Sequence, residues 1–219
     1  FGSSAVNIKA WTFEPNGVTD PVAADDTLNK NYFAALGGVY TIGGTTPNFP
    51  TVIDAVNALN QYGTCGDVIF DIRAGVYTGK VTLNNPTPVP STSGRVTFRS
   101  ENGIANSVTI AYNAPSQNDA TIQLNSADKF TFKNLSVTTG TNFGQCFALN
   151  GGSDNDSIVG CVLTAPTVAN SYNSVIMAYT SYTSFNGNNL VIKDNIMSGG
   201  YYSCWVYPAA YQSGIVIDN

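Results

Sequence analysis

The chain has 219 residues, which is enough for one β-rich domain, and it contains no histidine. The lack of histidine excludes a Ser-His-Asp or Cys-His catalytic site and a His-ligated zinc ion. Charged residues make up 11% of the chain and its net charge is −5, so nothing would attract it to the phosphates of a nucleic acid. No apolar run approaches the roughly 18 residues that would suggest a membrane span. We therefore expect a folded chain with no nucleic-acid partner and no membrane span.

The composition is poor in Lys and Arg and rich in Asn, Thr, Ser, Gly and Tyr, which is typical of secreted bacterial surface proteins. The chain begins at Phe1 and not at Met, and it shows no leader in which a basic segment precedes an apolar one. We therefore interpret it as a processed product or a fragment. We expect it to be secreted or to lie on a bacterial cell surface.

Residues 1–33 form the first predicted region. Residues 6–11 alternate as a strand, and a turn-rich connection leads to a second short segment at Thr27 and Leu28. The order of Trp11, the PNG turn and the DDT segment resembles the closing strands of CARDB-type, immunoglobulin-like modules of bacterial surface proteins. The resemblance implies a short β-sandwich-like remnant. The alternative is an ordinary N-terminal arm.

One helix is predicted, at residues 50–61. Pro50 suits a first helical position, and Ile53, Val56 and Leu59 recur on one face. Residues 34–64 are therefore predicted to be a linker and this helix. We expect the helix to cover the apolar end of the repeats that follow.

The pattern of residues 65–219 predicts short strands that are separated by Gly, Asn, Asp, Ser and Thr. An apolar-x-x-X-x-apolar motif recurs among them, with equivalent positions offset by 26, 34 and 25 residues. Its aligned positions are Phe132, Leu135 and Val137, then Ile158, Cys161 and Leu163, then Ile192, Asn195 and Met197, and finally Ile217. Constant strands with turns of variable length are typical of a parallel β-helix. The alternative is a β-sandwich, a fold in which the same three inward-facing positions would not be expected to recur.

Three segments add a family resemblance to this pattern: GVYTIGG at 38–44, NFPT at 48–51 and CGDVIFDIRAGVY at 65–77. They resemble the right-handed parallel β-helix proteins of the pectate-lyase-like superfamily. More narrowly, they are similar to β-helix modules of large secreted proteins that carry a type IX secretion signal. The resemblance implies an all-β, right-handed parallel β-helix with an N-terminal capping helix, ending inside a coil. It also implies a Gram-negative source and contact with the secretion machinery through the parent protein.

Two motifs are similar to pectin methylesterase. IRAGVYTGKV at 72–81 resembles I-K-A-G-x-Y-x-E-x-V, and QCFAL at 145–149 resembles Q-A-V-A-L. That family uses two aspartates, as nucleophile and as general acid, beside a glutamine that helps to hold the oxyanion. Gln145 matches the glutamine, but residues 165–170 and 198–205 contain no carboxylate where the aspartates belong. We expect no catalytic residues of this kind and an outward position for Gln145.

Four cysteines raise the question of disulfides. In the β-helix register, Cys161 takes the place of Leu135, whereas Cys146 and Cys204 lie two coils apart. Two coils separate them by roughly 10 Å, which is beyond disulfide reach. We predict unbridged, mostly buried thiols and, without a C-x-x-C pair, no zinc site.

No cofactor is expected, although Asp154 and Asp156 could begin a calcium site. Their spacing fits no calcium-loop motif. The alternative is that they are solvated turn residues.

Aromatic residues near the end of the chain suggest a ligand. Alternation in residues 203–207 predicts that Cys204 and Val206 point inward and that Trp205 and Tyr207 point outward, on the face expected to carry Phe147. Outward rings along a β-helix can stack on sugar rings. We expect a polysaccharide site that contains Trp205, Tyr207, Phe147 and Gln145, with Tyr201, Tyr202 and Tyr211 nearby. The alternative is that these rings pack under a long turn.

Three functions follow from these patterns. We favour a non-catalytic extracellular module of a large bacterial surface protein, with a glycan-binding, adhesive or stalk role. One alternative is a polysaccharide-active enzyme, of lyase or esterase type, whose catalytic coils lie beyond residue 219. The other is a purely structural spacer.

Overall fold

The structure is a computed structural model that describes residues 6–12, 17, 27–32, 34–84, 94–116, 119–140, 142–167, 174–179, 188–207 and 213–219. For residues 177–179 and 207 it describes the backbone only. The chain divides into two compact units, Phe1–Ala35 and Leu36–Asn219.

The first unit contains two antiparallel strands, β1 (Val6–Trp11) and β2 (Thr27–Tyr32). Val6 lies opposite Tyr32, and every residue of both strands is exposed. These are the two strands that the sequence predicts. Their resemblance to an immunoglobulin-like module stays a prediction.

The second unit is a right-handed parallel β-helix. It begins with β3 (Leu36–Ile42) and helix α1 (Val52–Tyr62). Five coils follow in the described part of the chain: β4 (Thr64–Ile72), β5 (Gly75–Thr78) and β6 (Val81–Asn84); β7 (Val96–Ser100), β8 (Val108–Tyr112) and β9 (Ala120–Asn125); β10 (Phe130–Lys133), β11 (Ser136–Thr139) and β12 (Gln145–Asn150); β13 (Ser157–Val159), β14 (Val162–Thr164) and β15 (Ile176–Tyr179); β16 (Val191–Lys193), β17 (Ile196–Ser198) and β18 (Cys204–Tyr207). The last described strand is β19 (Val216–Asp218).

The strands of these coils form three parallel sheets in the described residues. The first strand of each coil joins β3 and β19 in sheet 1, which has seven strands. The second strands form sheet 2 and the third strands form sheet 3, with five strands each. Because β3 pairs with β4, sheet 1 begins inside the segment that the sequence predicts to be a linker and helix.

Helix α1 begins at a capping box. The Thr51 hydroxyl accepts a hydrogen bond from the Asp54 N–H at 3.1 Å, and the Asp54 carboxylate accepts one from the Thr51 N–H at 3.1 Å. The prediction that Pro50 is the first helical residue is therefore wrong, because Thr51 supplies the cap one position later. Gly63 caps the end of the helix, and its N–H donates to the Leu59 carbonyl at 2.9 Å. Within the described residues, no helix is long and apolar enough to cross a membrane.

The helix covers the end of the core at the first coil, as expected. Val52, Val56 and Leu59 are buried on its inner face and belong to the main apolar cluster. Asn60 bonds to the first strand of sheet 3: its Nδ2 donates to the Thr82 carbonyl at 2.8 Å, and its Oδ1 accepts from the Asn84 N–H at 3.1 Å. Packing and hydrogen bonds together hold the helix on the coil.

The core is organised in columns that run from coil to coil. Phe70, Phe98 and Phe132 are register partners in sheet 1, and their rings stack. The centroids of Phe70 and Phe98 are 4.7 Å apart with 24° between the planes, and those of Phe98 and Phe132 are 5.7 Å apart with 8° between the planes. Phe98 therefore packs on an aromatic ring on both sides.

The repeat motif has the predicted register. Phe132, Ile158, Ile192 and Ile217 form one column of sheet 1, and Val137, Leu163 and Met197 form one column of sheet 2. In the third, fourth and fifth coils, the corner between these sheets uses a residue of positive φ, with φ of 53° at Asn134, 64° at Gly160 and 55° at Asp194. Asn, Asp and Gly tolerate this conformation best, which explains their place in the motif.

A polar ladder explains why Asn195 occupies a buried position of the motif. Its Oδ1 accepts from the Cys161 N–H at 2.9 Å, and its own N–H donates to Asn219 Oδ1 at 2.8 Å. Its Nδ2 also donates to the Ile158 carbonyl at 2.9 Å. The amide therefore connects three coils at one corner.

We expect Phe98→Ala to lower the free energy of unfolding by roughly 3–5 kcal/mol, because it removes a ring that is packed on both sides and leaves a cavity. Urea unfolding monitored by circular dichroism measures this change. Ile104→Ala, at an exposed position in a neighbouring turn, is the control and should change the stability by less than about 0.5 kcal/mol. Equal losses in the two variants would contradict the prediction.

Candidate glycan-binding surface

Three aromatic side chains come together at the start of β18. The ring centroids of Tyr201 and Tyr202 are 4.8 Å apart, and those of Tyr202 and Trp205 are 5.3 Å apart, with edge-to-face geometry in both pairs. Tyr201 is 51% exposed, Tyr202 is 45% exposed and Trp205 is half-buried. We call these three residues the aromatic surface.

The register of β18 explains the direction of Trp205. Cys204 and Val206 pack partly buried against the apolar cluster, so alternation directs the intervening Trp205 away from it. This agrees with the predicted orientation of those residues. The side chain of Tyr207 lies outside the described residues.

The prediction that Phe147 shares the outer face with Trp205 is wrong. Phe147 is aligned with Ile176 and then with Cys204, so it points to the core, and it is 0% exposed. Its ring centroid lies 5.0 Å from that of Phe132. The residue of β12 that shares the column of Trp205 is Ala148. Phe147 is thus a core residue.

Gln145 is also placed differently from the expectation. The sequence predicts an outward strand position, but the residue is only 4% exposed. Its N–H donates to the Asp119 carbonyl at 2.9 Å, which fixes the first residue of β12 against the preceding coil. The structure therefore joins Trp205 to Tyr201 and Tyr202, but not to Phe147 or Gln145.

A charged cluster lies beside Gln145. Lys80 Nζ is 2.6 Å from Asp119 Oδ1, and the Tyr112 hydroxyl donates to Asp119 Oδ2 at 2.9 Å. Burial alone would raise the pKa of Asp119, but the hydrogen bonds from Lys80 and Tyr112 hold this pKa below its ordinary value. The bond to Asp119 in turn raises the pKa of Tyr112. Asp119 is an ionised carboxylate with both oxygens occupied, which suits a structural role.

The acidic loop considered for calcium forms a hydrogen-bonded ladder. The Asp154 N–H donates to Asp128 Oδ1 at 2.8 Å, and the Asn188 N–H donates to Asp154 Oδ1 at 2.9 Å. Asn188 Nδ2 also donates to Asp154 Oδ2 at 3.1 Å. Across the described ranges, no group of three His, Cys, Asp or Glu side chains could hold a metal ion. The oxygens of Asp154 serve the contact between coils.

The alternative that Asp156 is a solvated turn residue is wrong, because the structure buries its carboxyl group. Asp156 directly precedes β13 and is 2% exposed. Its Oδ1 accepts from the Phe130 N–H at 2.8 Å, but its buried Oδ2 has no hydrogen-bond partner among the described residues. Burial, with a smaller contribution from the Asp128 charge, raises the pKa of Asp156 to about 8. The carboxyl group is therefore protonated below this pH.

The four cysteines form no disulfide in the structure. Cys146 and Cys161 are buried, Cys204 is half-buried and Cys65 is exposed. Cys146 and Cys204 lie in β12 and β18, two strands apart in sheet 3, as predicted. Burial raises the pKa of Cys146 to about 12 and the pKa of Cys161 and Cys204 to about 11. Cys65 is the exception to the predicted burial.

No family model and no curated protein matches the chain. Two crystal structures of pectin methylesterase from Aspergillus niger, in deglycosylated and penultimately deglycosylated forms, match it with 15% identity. Each comparison covers 85% of this chain and 86% of the other, with TM-scores of 0.36 and 0.35. At this identity and TM-score, the likeness assigns no activity to the chain.

The burial of the cysteines predicts one reactive thiol. We expect iodoacetamide at pH 8 to modify Cys65 rapidly in the native protein and the other three only after unfolding, because burial keeps them protonated and covered. Mass spectrometry of proteolytic peptides identifies the modified cysteine. Cys65→Ser should remove the fast reaction, whereas Cys161→Ser should leave it. A fast reaction that survives Cys65→Ser would contradict this assignment.

The raised pKa of Asp156 predicts a pH dependence of stability. The folded pKa of about 8 lies above the unfolded value of 3.8, so the native state holds the proton more tightly and stability falls as pH rises between these values. Asp156→Asn keeps the acceptor for the Phe130 N–H but cannot ionise. We expect this variant to gain stability relative to the native sequence between pH 5 and pH 8.5 in urea unfolding. A difference that does not change with pH would contradict the assignment.

Proposed function

We propose that this chain is a non-catalytic, extracellular β-helix module that binds polysaccharide through the aromatic surface. The observation that carries the proposal is the contiguous, partly exposed group of Tyr201, Tyr202 and Trp205. Aromatic rings offer apolar faces to the C–H groups of a sugar ring, and the Tyr hydroxyls offer hydrogen bonds at the rim. This combination suits a neutral carbohydrate better than an ionic ligand.

The geometry of the three rings supports recognition of a ligand. Each edge-to-face contact restricts the ring beside it, so little side-chain entropy remains to be lost on binding. The backbone of β18 is held by parallel pairing with β15. The paired residues run from Ile176 opposite Cys204 to Tyr179 opposite Tyr207. A rigid platform of this kind is what a weakly polar ligand requires.

We propose a non-catalytic module because the positions where an esterase would need its aspartates hold other residues. Residues 165–170 and 198–205 provide no carboxylate, and Gln145 is buried. Asp119, the carboxylate beside Gln145, is held ionised by Lys80 and Tyr112. A double-displacement esterase needs one aspartate that attacks and another that donates a proton.

The extracellular location rests on composition and on sequence resemblance. Few charged residues and many Asn, Thr, Ser, Gly and Tyr are typical of secreted surface proteins. The similarity of residues 38–77 to modules of type IX secreted proteins, and of residues 1–33 to CARDB-type strands, supports a place in a large surface protein of a Gram-negative bacterium. The secretion machinery would then act on the parent protein.

Trp205→Ala tests the proposed site. We expect binding to a polysaccharide identified on a glycan array to weaken about tenfold or more, because a stacking ring contributes roughly 1 kcal/mol beyond its buried area. Trp11 is the other tryptophan of the chain, and it is exposed in β1. Trp11→Ala is therefore a matched control and should bind as the native sequence does.

Fluorescence gives a second measurement of the same site. Trp11→Phe leaves Trp205 as the single tryptophan, so a polysaccharide that covers Trp205 should change its emission in a saturable way. Full affinity in Trp205→Ala would contradict the proposed site. Failure of the native chain to bind any polysaccharide would contradict the function and favour a structural spacer.

A further inference from the structure

A column of side chains, all but one of them charged, runs along the outer face of sheet 1. Its members, in sheet order, are Asp71, Arg99, Lys133, Val159, Lys193 and Asp218. Arg99 Nε donates to Asp71 Oδ1 at 2.6 Å, and Lys193 Nζ lies 3.5 Å from Asp218 Oδ2. Lys133 is exposed and, among the residues that the structure describes, has no carboxylate partner. It is the unpaired cation of this column.

A hollow of about 390 Å³ adjoins Lys133. It is lined by Arg99, Lys133 and Asn134 together with the turn at residues 100–103. Asn134 Nδ2 points toward this turn, 3.9 Å from where a Cβ on Gly103 would lie, and it has no acceptor among the described residues.

Two carboxylates near the hollow contact arginine side chains. Glu101 belongs to its lining, and its Oε1 is 3.3 Å from Arg73 Nε. Asp71 lies on β4, on the side of Arg99 away from Lys133. Arg99 Nη2 also donates to Asp71 Oδ2 at 3.5 Å, so the donors left at the hollow are the Lys133 ammonium, Asn134 Nδ2 and Arg99 Nη1.

We propose that this hollow is a second binding site, which takes an oxyanion group carried by a small polar molecule. The Lys133 ammonium, Asn134 Nδ2 and the remaining N–H groups of Arg99 donate to the oxyanion. Charge-assisted hydrogen bonds of this kind are stronger than neutral ones, and a guanidinium matches the geometry of two oxygens. The site lies on sheet 1, whereas the aromatic surface lies on sheet 3, so this proposal does not rest on the proposed function.

Titration of the ¹⁵N-labelled chain with sodium sulfate or sodium acetate tests the site, with sodium chloride keeping the ionic strength constant. We expect saturable shifts of the Gly103 and Asn134 amide signals. Lys133→Gln should weaken binding about tenfold, because it removes one charge-assisted hydrogen bond. Lys193→Gln is the matched control, since Lys193 lies in the same column but is paired with Asp218. It should leave the affinity unchanged.

The outcomes distinguish a specific oxyanion site from general charge attraction. Tighter binding of acetate than of sulfate assigns a carboxylate ligand, and the reverse order assigns a sulfate-like group. Equal losses in Lys133→Gln and Lys193→Gln would overturn the proposal, because both lysines would then act only through their charge. The absence of saturable shifts with either anion would overturn it as well. Trp205→Ala should bind the anions as the native sequence does. Anion binding therefore tests this site independently of whether the chain binds polysaccharide.

Discussion

The alignment of each coil with the coil before it is the constraint on which the rest of this structure depends. A single coil cannot bury its apolar side chains alone and does so only against its neighbours. Parallel strands about 4.8 Å apart place each side chain over its equivalent in the next coil. The stack of Phe70, Phe98 and Phe132 follows from that register. The same register aligns the outer side chains, so the charged column of sheet 1 is a consequence of core packing.

Much of the β-helix could be predicted because the repeat motif spans the corner between sheets 1 and 2. One residue of positive φ, such as Asn134 or Asp194, separates the strands there and keeps the inward positions at constant spacing. β3 lies before the helix and outside the repeat, so the repeat motif could not indicate that it is a strand of sheet 1. Phe147 was misplaced because every residue from Gln145 to Leu149 is buried. Alternation cannot mark the core side of a strand that is covered on both faces.

The candidate sites were predictable only where their members are close in sequence. Tyr201, Tyr202 and Trp205 lie within five residues, and local alternation was enough to indicate an outward ring. Arg99 and Lys133 belong to consecutive coils, so they meet through a register that no local pattern reveals. Asp156 stands among polar loop residues, and only the structure, through its exposure of 2% and its bond to the Phe130 N–H, shows that it lies in the core.

The contacts of Asn60 have a consequence for self-association. β6 is the terminal strand of sheet 3 at this end, so no strand among the described residues pairs with its outer edge. Edges of this kind are templates on which another chain can add a strand and begin to aggregate. Asn60 occupies the Thr82 carbonyl and the Asn84 N–H of that edge. One side chain of the capping helix thus imitates a neighbouring strand and protects the sheet from edge-to-edge polymerisation.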